Sequence, residues 1–203
     1  MNIRMVILWM CLLLAGNVSP VNASERVDAD LLSYDQTVAR MKAEFQKTPV
    51  NPANVGWVKL KLAHMYEVDQ FTRGFGDVVQ KNKYTKAEAD YFWSKFMDRF
   101  HAVDRENTGE LKGLLKIHSW IRISVFGDVA DNQAWLIVQH ADLDPTFQAE
   151  VLKLLGQLYP QGETKPGNYA YLFDRVAASW SDTSRRKLQR YGTQGDCKGI
   201  GLW

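Results

Sequence analysis

Apolar residues recur along this chain at three- and four-residue intervals, and no stretch alternates as a half-buried strand requires. A first amphipathic helix is expected over residues 28–47, with Leu31, Leu32, Val38, Met41 and Phe45 on its apolar face. Thr48-Pro49-Val50-Asn51-Pro52 breaks it. A second helix runs from Val55 to Thr72 and stops before Gly74 and Gly76. Thr85 and Glu88 have the spacing of a capping box, opening a long helix that carries Tyr91, Phe92, Phe96 and Phe100. A shorter helix follows Thr108 and ends near His118, and Ser124 caps a turn leading to a helix from Asp128 to Ala141. Asp144-Pro145 is an N-cap followed by proline at the first helical position, starting a helix that reaches Leu158. Gln161 to Gly167 is a polar loop, Asn168 to Trp180 the last clear helix, and the chain from Ser181 onward an irregular tail. With no repeat and no long linker, the pattern predicts a single compact all-α domain of several helices.

The beginning of the chain follows another rule. Arg4 precedes eleven apolar residues, Met5 to Ala15, fewer than the roughly 20 a spanning helix needs. Gly16, Pro20 and the small-residue site Val21-Asn22-Ala23 complete a secretory signal pattern with cleavage before Ser24. Cys11 lies inside the apolar core, which argues against lipidation. The expected organisation is therefore a signal peptide over 1–23, a helical arm over 24–54 and a helical domain over 55–203. The protein is expected to be periplasmic or secreted, with no stable membrane span after cleavage.

Composition narrows the classes further. A 203-residue chain with 46% hydrophobic and 24% charged residues is not intrinsically disordered. Its formal charge of +2 makes no electrostatic case for a nucleic-acid partner. Removal of the signal would leave only Cys197, so packing rather than an internal disulfide must hold the fold. Cys197 has no histidine near it in sequence and reads as a bystander thiol.

Candidate chemistry concentrates in five places. Residues 104–115 begin like a calcium loop, with Asp104, Glu106, Thr108 and Gly109 in position, but Leu115 stands where a bidentate glutamate is required. Gln139-His140-Ala141-Asp142 follows the apolar run Ala134–Val138, setting a histidine able to move protons near neutrality at a helix end. Tyr171, Asp174 and Arg175 share a helix face. There Asp174 can orient a histidine and Arg175 can bind an anion, or both can simply satisfy a buried network. Tyr191, Gly192 and Gln194 form a turn able to line a concave site. Asp69 and Arg73, four apart, read as an exposed helical salt bridge worth roughly 0.3–0.5 kcal/mol.

Metal and cofactor chemistry lack local signals. His64, His101, His118 and His140 fall at no metal-binding spacing, and a site from His140, Asp142 and Asp174 would have to be assembled by folding. Walker, Rossmann and Gly-x-Ser-x-Gly patterns are missing from the sequence, and no cofactor is expected.

The ordered set Ala134–Asp142, Phe147-Gln148, Tyr171–Val176 and Tyr191–Gln194 resembles a bacterial family catalogued as domain of unknown function 6624. Asp69-Gln70 with Arg73, Asp104 with Asn107 and Leu111, and Trp120 with Ser124 and Gly127 also fit its pattern. The resemblance covers residues 60–203 and implies a domain type and candidate positions, with no established activity. Two functional readings follow. One is an exported hydrolase or lyase acting on a small polar or envelope ligand, with His140 as acid or base and Asp142 or Asp174 as its carboxylate. Arg73 or Arg175 would bind an anionic group, and Gln139, Gln148, Tyr171, Tyr191 and Gln194 would contact substrate. The other is a non-catalytic binding or interaction domain exposing Trp57, Trp93 or Trp203.

Overall fold

In the computed structural model, which describes residues 23–179 and 189–194, the helical periods become packed helices, with no strand among the described residues. The expected signal segment up to residue 22, the basic run Arg185-Arg186-Lys187, Cys197 and Trp203 lie outside the described residues. The first helix, α1 (Ala23–Gln46), buries Val27, Leu31, Tyr34 and Val38, a spacing of four, three and four. Leu32, expected inside, is 56% exposed because that spacing turns it outward, whereas Tyr34 is buried. The second helix, α2 (Val55–Phe75), starts at Asn54, whose side chain accepts the Trp57 N–H at 2.9 Å. It runs through Gly74 and ends at Gly76, where any Cβ would sit 2.6 Å from the Trp93 ring. A short turn, α3 (Val78–Lys81), follows.

The largest correction concerns α4 (Lys86–His118), a single helix of 33 residues where a break before Thr108 was expected. Its capping box is present: Glu88 N–H donates to the Thr85 hydroxyl, and Glu88 accepts from the Thr85 N–H at 2.7 Å. Thr108 is no cap, since its hydroxyl donates at 2.7 Å to the carbonyl of Asp104 one turn earlier. Continuous helix through 104–115 also removes the turn that a calcium loop needs. After α5 (Ile123–Phe126), Gly127 adopts φ +82°, a conformation that side chains resist, and α6 (Asp128–Gln139) begins. Ser124 caps nothing here; its N–H and hydroxyl both donate to Glu163. Asp144 caps α7 (Pro145–Leu158) by accepting from Phe147 N–H at 3.0 Å, and α8 (Pro166–Ser179) completes the described helices.

Two apolar clusters share α2 and α4. One gathers Leu62, Met65, Leu111, Trp120, Ile137, Leu155 and Leu172 from α2, α4, α6, α7, α8 and the chain after α4. The other is aromatic: Tyr34 packs against Phe71, Phe75 and Phe96, and Phe96 stacks on Phe92, closing α1 onto α2 and α4. Ion pairs such as Arg99–Asp35 and Arg26–Glu88, both at 2.8 Å, rim that contact. They contribute little beside the buried rings. Between the clusters runs a layer of buried polar residues on α2 and α4: Asp69, Thr72, Asp104, Asn107 and Thr108. Polar groups placed there need partners, and their partners define the site.

Candidate functional site

Asp69 is 1% exposed on α2, in the same row as Leu62 and Met65. Two elements bring it partners. From its own helix Arg73 reaches back one turn, Nε lying 3.1 Å and 3.3 Å from the two carboxylate oxygens. From the end of α6, His140 turns its Nδ1 to within 2.8 Å of Asp69 Oδ1. Gln70 donates to Oδ2 at 2.8 Å. The other end of the Arg73 guanidinium donates through Nη2 to Asp104 Oδ1 on α4 at 2.7 Å, and its plane lies 4.6 Å from the Phe100 ring centroid. Arg73 thus bridges two buried carboxyls, 1% and 8% exposed.

The geometry fixes a tautomer. A lone pair on His140 Nδ1 would face a carboxylate oxygen at 2.8 Å, so Nδ1 carries hydrogen and donates to Asp69. Arg73 Nε also lies 2.8 Å from Nδ1, but a protonated Nδ1 cannot accept, so that N–H is directed to Asp69. No group among the described residues hydrogen-bonds Nε2, which accepts whenever it carries no proton. Burial disfavours charge on Asp69, but the hydrogen bond and charge of His140, with Arg73 and Gln70, hold its carboxyl below the ordinary range. Asp104 goes the other way: burial, reinforced by Asp69 and Asp142 and only partly offset by Arg73 and Arg175, pushes it up to about 6. One site therefore holds a carboxylate kept charged and a carboxyl close to gaining its proton.

The other expected site residues form a second network. Asp142 does not reach His140; Arg175 grips it through two bonds of 2.9 Å and 2.5 Å. Arg175 also donates to Gln194 Oε1 at 3.1 Å, and Gln194 donates to the Tyr171 carbonyl at 3.2 Å. Gln148, fully buried, donates from Nε2 to the Val138 and Gln139 carbonyls and to Asp142. Gln139 Nε2 and Gln148 Oε1 are buried without a partner among the described residues. Tyr171 and Tyr191 are exposed. Asp174 does not orient the histidine. Completely buried, it accepts from the backbone N–H groups of Arg190, Tyr191 and Thr193 and from the Thr193 hydroxyl, pinning residues 190–193 onto α8. The carboxylate expected from Asp142 or Asp174 is supplied by Asp69.

Spacing alone makes Asp69–Arg73 an exposed pair, yet positions 62, 65, 69 and 72 follow one buried helical stripe, and that stripe is the signal in the sequence. Asp104 carried the same signal, lying on the row that continues to Leu111. No helix among the described residues is long and apolar enough to cross a membrane, and none of their His, Cys, Asp and Glu side chains gather in threes as for a metal. No curated protein and no solved structure matches the chain. A family model matches residues 59–198, which hold Asp69, Arg73, Asp104, His140 and the whole Asp142–Arg175–Gln194 network. The chain belongs to the family of unknown function DUF6624.

Proposed function

We propose that the protein is exported and that it is a hydrolase or lyase working by general acid–base chemistry on a small polar substrate. The observation that carries this reading is His140 Nδ1 at 2.8 Å from the buried Asp69 carboxylate, with Nε2 turned from every described partner. In that arrangement Nε2 removes a proton from water or substrate, and Asp69 stabilises the imidazolium that results. Asp104, on the far side of Arg73, is the group suited to return a proton to what leaves. Export rests on Arg4, the Met5–Ala15 core and the Val21-Asn22-Ala23 site. Of the tryptophans on which the interaction-domain alternative rests, Trp57 packs against the core, Trp93 is 41% exposed on α4 as that alternative expects, and Trp203 lies outside the described residues.

The test is a panel of chromogenic ester, phosphoester, amide and glycoside substrates, with mass measurement of the exported product. Turnover of one class, reduced about 10²–10⁴-fold in His140→Ala, is expected. Full turnover in that variant sinks the assignment. A product that retains residues 1–23 sinks the proposed signal cleavage.

A further inference from the structure

We propose that Gln148 is a positioning residue for His140: its side-chain amide holds the turn from Val138 to Asp142 in the shape that brings the imidazole against Asp69. The inference deepens the acid–base reading above and rests on it for the use to which the ring is put, whereas the holding itself is measured without turnover.

His140 stands where α6 ends, at φ −93° and ψ 0°, in the sparsely allowed bridge region. A residue leaving a helix has no ladder to fix it, and the last carbonyls of the helix lack intrahelical partners. His140 N–H donates to the Leu136 carbonyl and Ala141 N–H to that of Val138, both at 3.1 Å. The Gln139 carbonyl receives no backbone N–H among the described residues. Gln148 supplies the missing donor. Its Nε2 lies 3.1 Å from the Val138 carbonyl, 3.3 Å from that of Gln139 and 3.3 Å from Asp142 Oδ1. One amide thus ties the two residues before His140 to the second residue after it.

The amide has one workable orientation. Turned over, its oxygen would face three oxygens at hydrogen-bond distance, so the nitrogen points to the turn. Oε1 is then buried without a partner among the described residues, a cost that an apolar side chain would not incur. Both ends of the tie are anchored. Gln148 lies on the α7 stripe with Val151 and Leu155, which sit in the core, and Asp142 is gripped by Arg175 of α8. The Arg175–Asp142 pair, which does not touch the ring, bears on it through this backbone. Gln148 is 0% exposed and out of reach of a substrate, the contact expected from the sequence, so it acts through the histidine that it holds.

The experiment is nitrogen-15 NMR of the purified full chain, labelled in histidine and glutamine, for the wild type, Gln148→Met and Val151→Ala. Methionine is unbranched like glutamine and lacks the donors. In the wild type, His140 Nδ1 should keep its proton on both sides of the ring's titration. The Gln148 amide protons should exchange with water at least about tenfold more slowly than those of the exposed Gln46. In Gln148→Met the neutral His140 ring should spread over both tautomers, while His64, His101 and His118 keep their shifts. Val151→Ala weakens the packing of α7 without touching the turn and should leave the His140 ring as it is in the wild type. Should Gln148→Met fail to fold, Gln148→Asn, whose shorter amide withdraws from the turn, takes its place. An unmoved His140 ring in the Gln148 variant, an equal change in Val151→Ala, or fast exchange of the Gln148 amide in the wild type overturns the proposal. The readout needs no turnover, so an inert His140 leaves the positioning standing. An unmoved ring, in turn, leaves His140-dependent turnover intact.

Discussion

His140 Nδ1 and Asp69 Oδ1 lie 2.8 Å apart although 71 residues separate them in sequence, and the carboxylate is 1% exposed. A buried charge so placed depends on every partner it has. Replacing His140 with alanine leaves Asp69 its bonds from Arg73 and Gln70, and a stability loss of about 1–3 kcal/mol is expected. Asp69→Asn removes the charge that Arg73 and His140 both face and should cost more, about 3–5 kcal/mol. Urea midpoints at constant slope measure both. The reverse order would place the weight of the network on the ring rather than on the carboxylate.

Acid titration should expose two opposed groups. Asp104, raised to about 6 by burial, is protonated in the folded chain before it is in the unfolded one. Its contribution is therefore complete below pH 4 and lost as pH rises through about 6. His64 stacks on Phe45 at 4.6 Å, and burial, followed by Lys61 and Lys42, pulls it down to about 4. The unfolded chain takes up that proton first, so the His64 contribution is complete above pH 6.5 and lost as pH falls toward 4. The wild type should vary little across this window. Stability should rise with pH in Asp104→Asn and fall in His64→Leu, as followed by melting temperature at pH 4, 5 and 6.

Phe96 is 1% exposed and meets the rings of Tyr34, Phe75, Phe92, Trp93 and Phe100. Phe96→Ala should cost about 3–5 kcal/mol, the range for an emptied aromatic position. A loss under about 1 kcal/mol would mean that these rings are not closely packed around Phe96.

Asp174→Ala separates structure from catalysis within the expected site. Four donors would lose their acceptor, and residues 190–193 their anchor on α8. Limited proteolysis should cut near Arg190 faster than in the wild type. Equal cleavage rates would show that the loop is held without this carboxylate.

The fold was largely legible because helical periods and caps are local facts: Thr85, Glu88, Asp144 and Pro145 act where their spacing put them. Thr108 misled for the same reason. Its hydroxyl can cap a helix or bond back one turn, and only tertiary packing of Asn107 and Leu111 decides which. His140, Arg73 and Gln194 stood out as polar groups in patterned surroundings. The choice of Asp69 over Asp142 or Asp174 was hidden because it depends on α2 crossing the end of α6, a contact that leaves no mark on residues 139–142. Leu32 and Tyr34 exchanged faces because the periods of three and four are both helical, and only the α4 surface selects between them.

The aromatic face of α2 and α4 has a consequence for kinship. Phe71, Phe75, Phe92 and Phe96 lie within the span that the family shares, whereas Val27, Leu31, Tyr34 and Val38, which cover them, precede it. A homologue built from the shared span alone must therefore shield the same rings with a different segment or a second subunit, or else carry smaller side chains there.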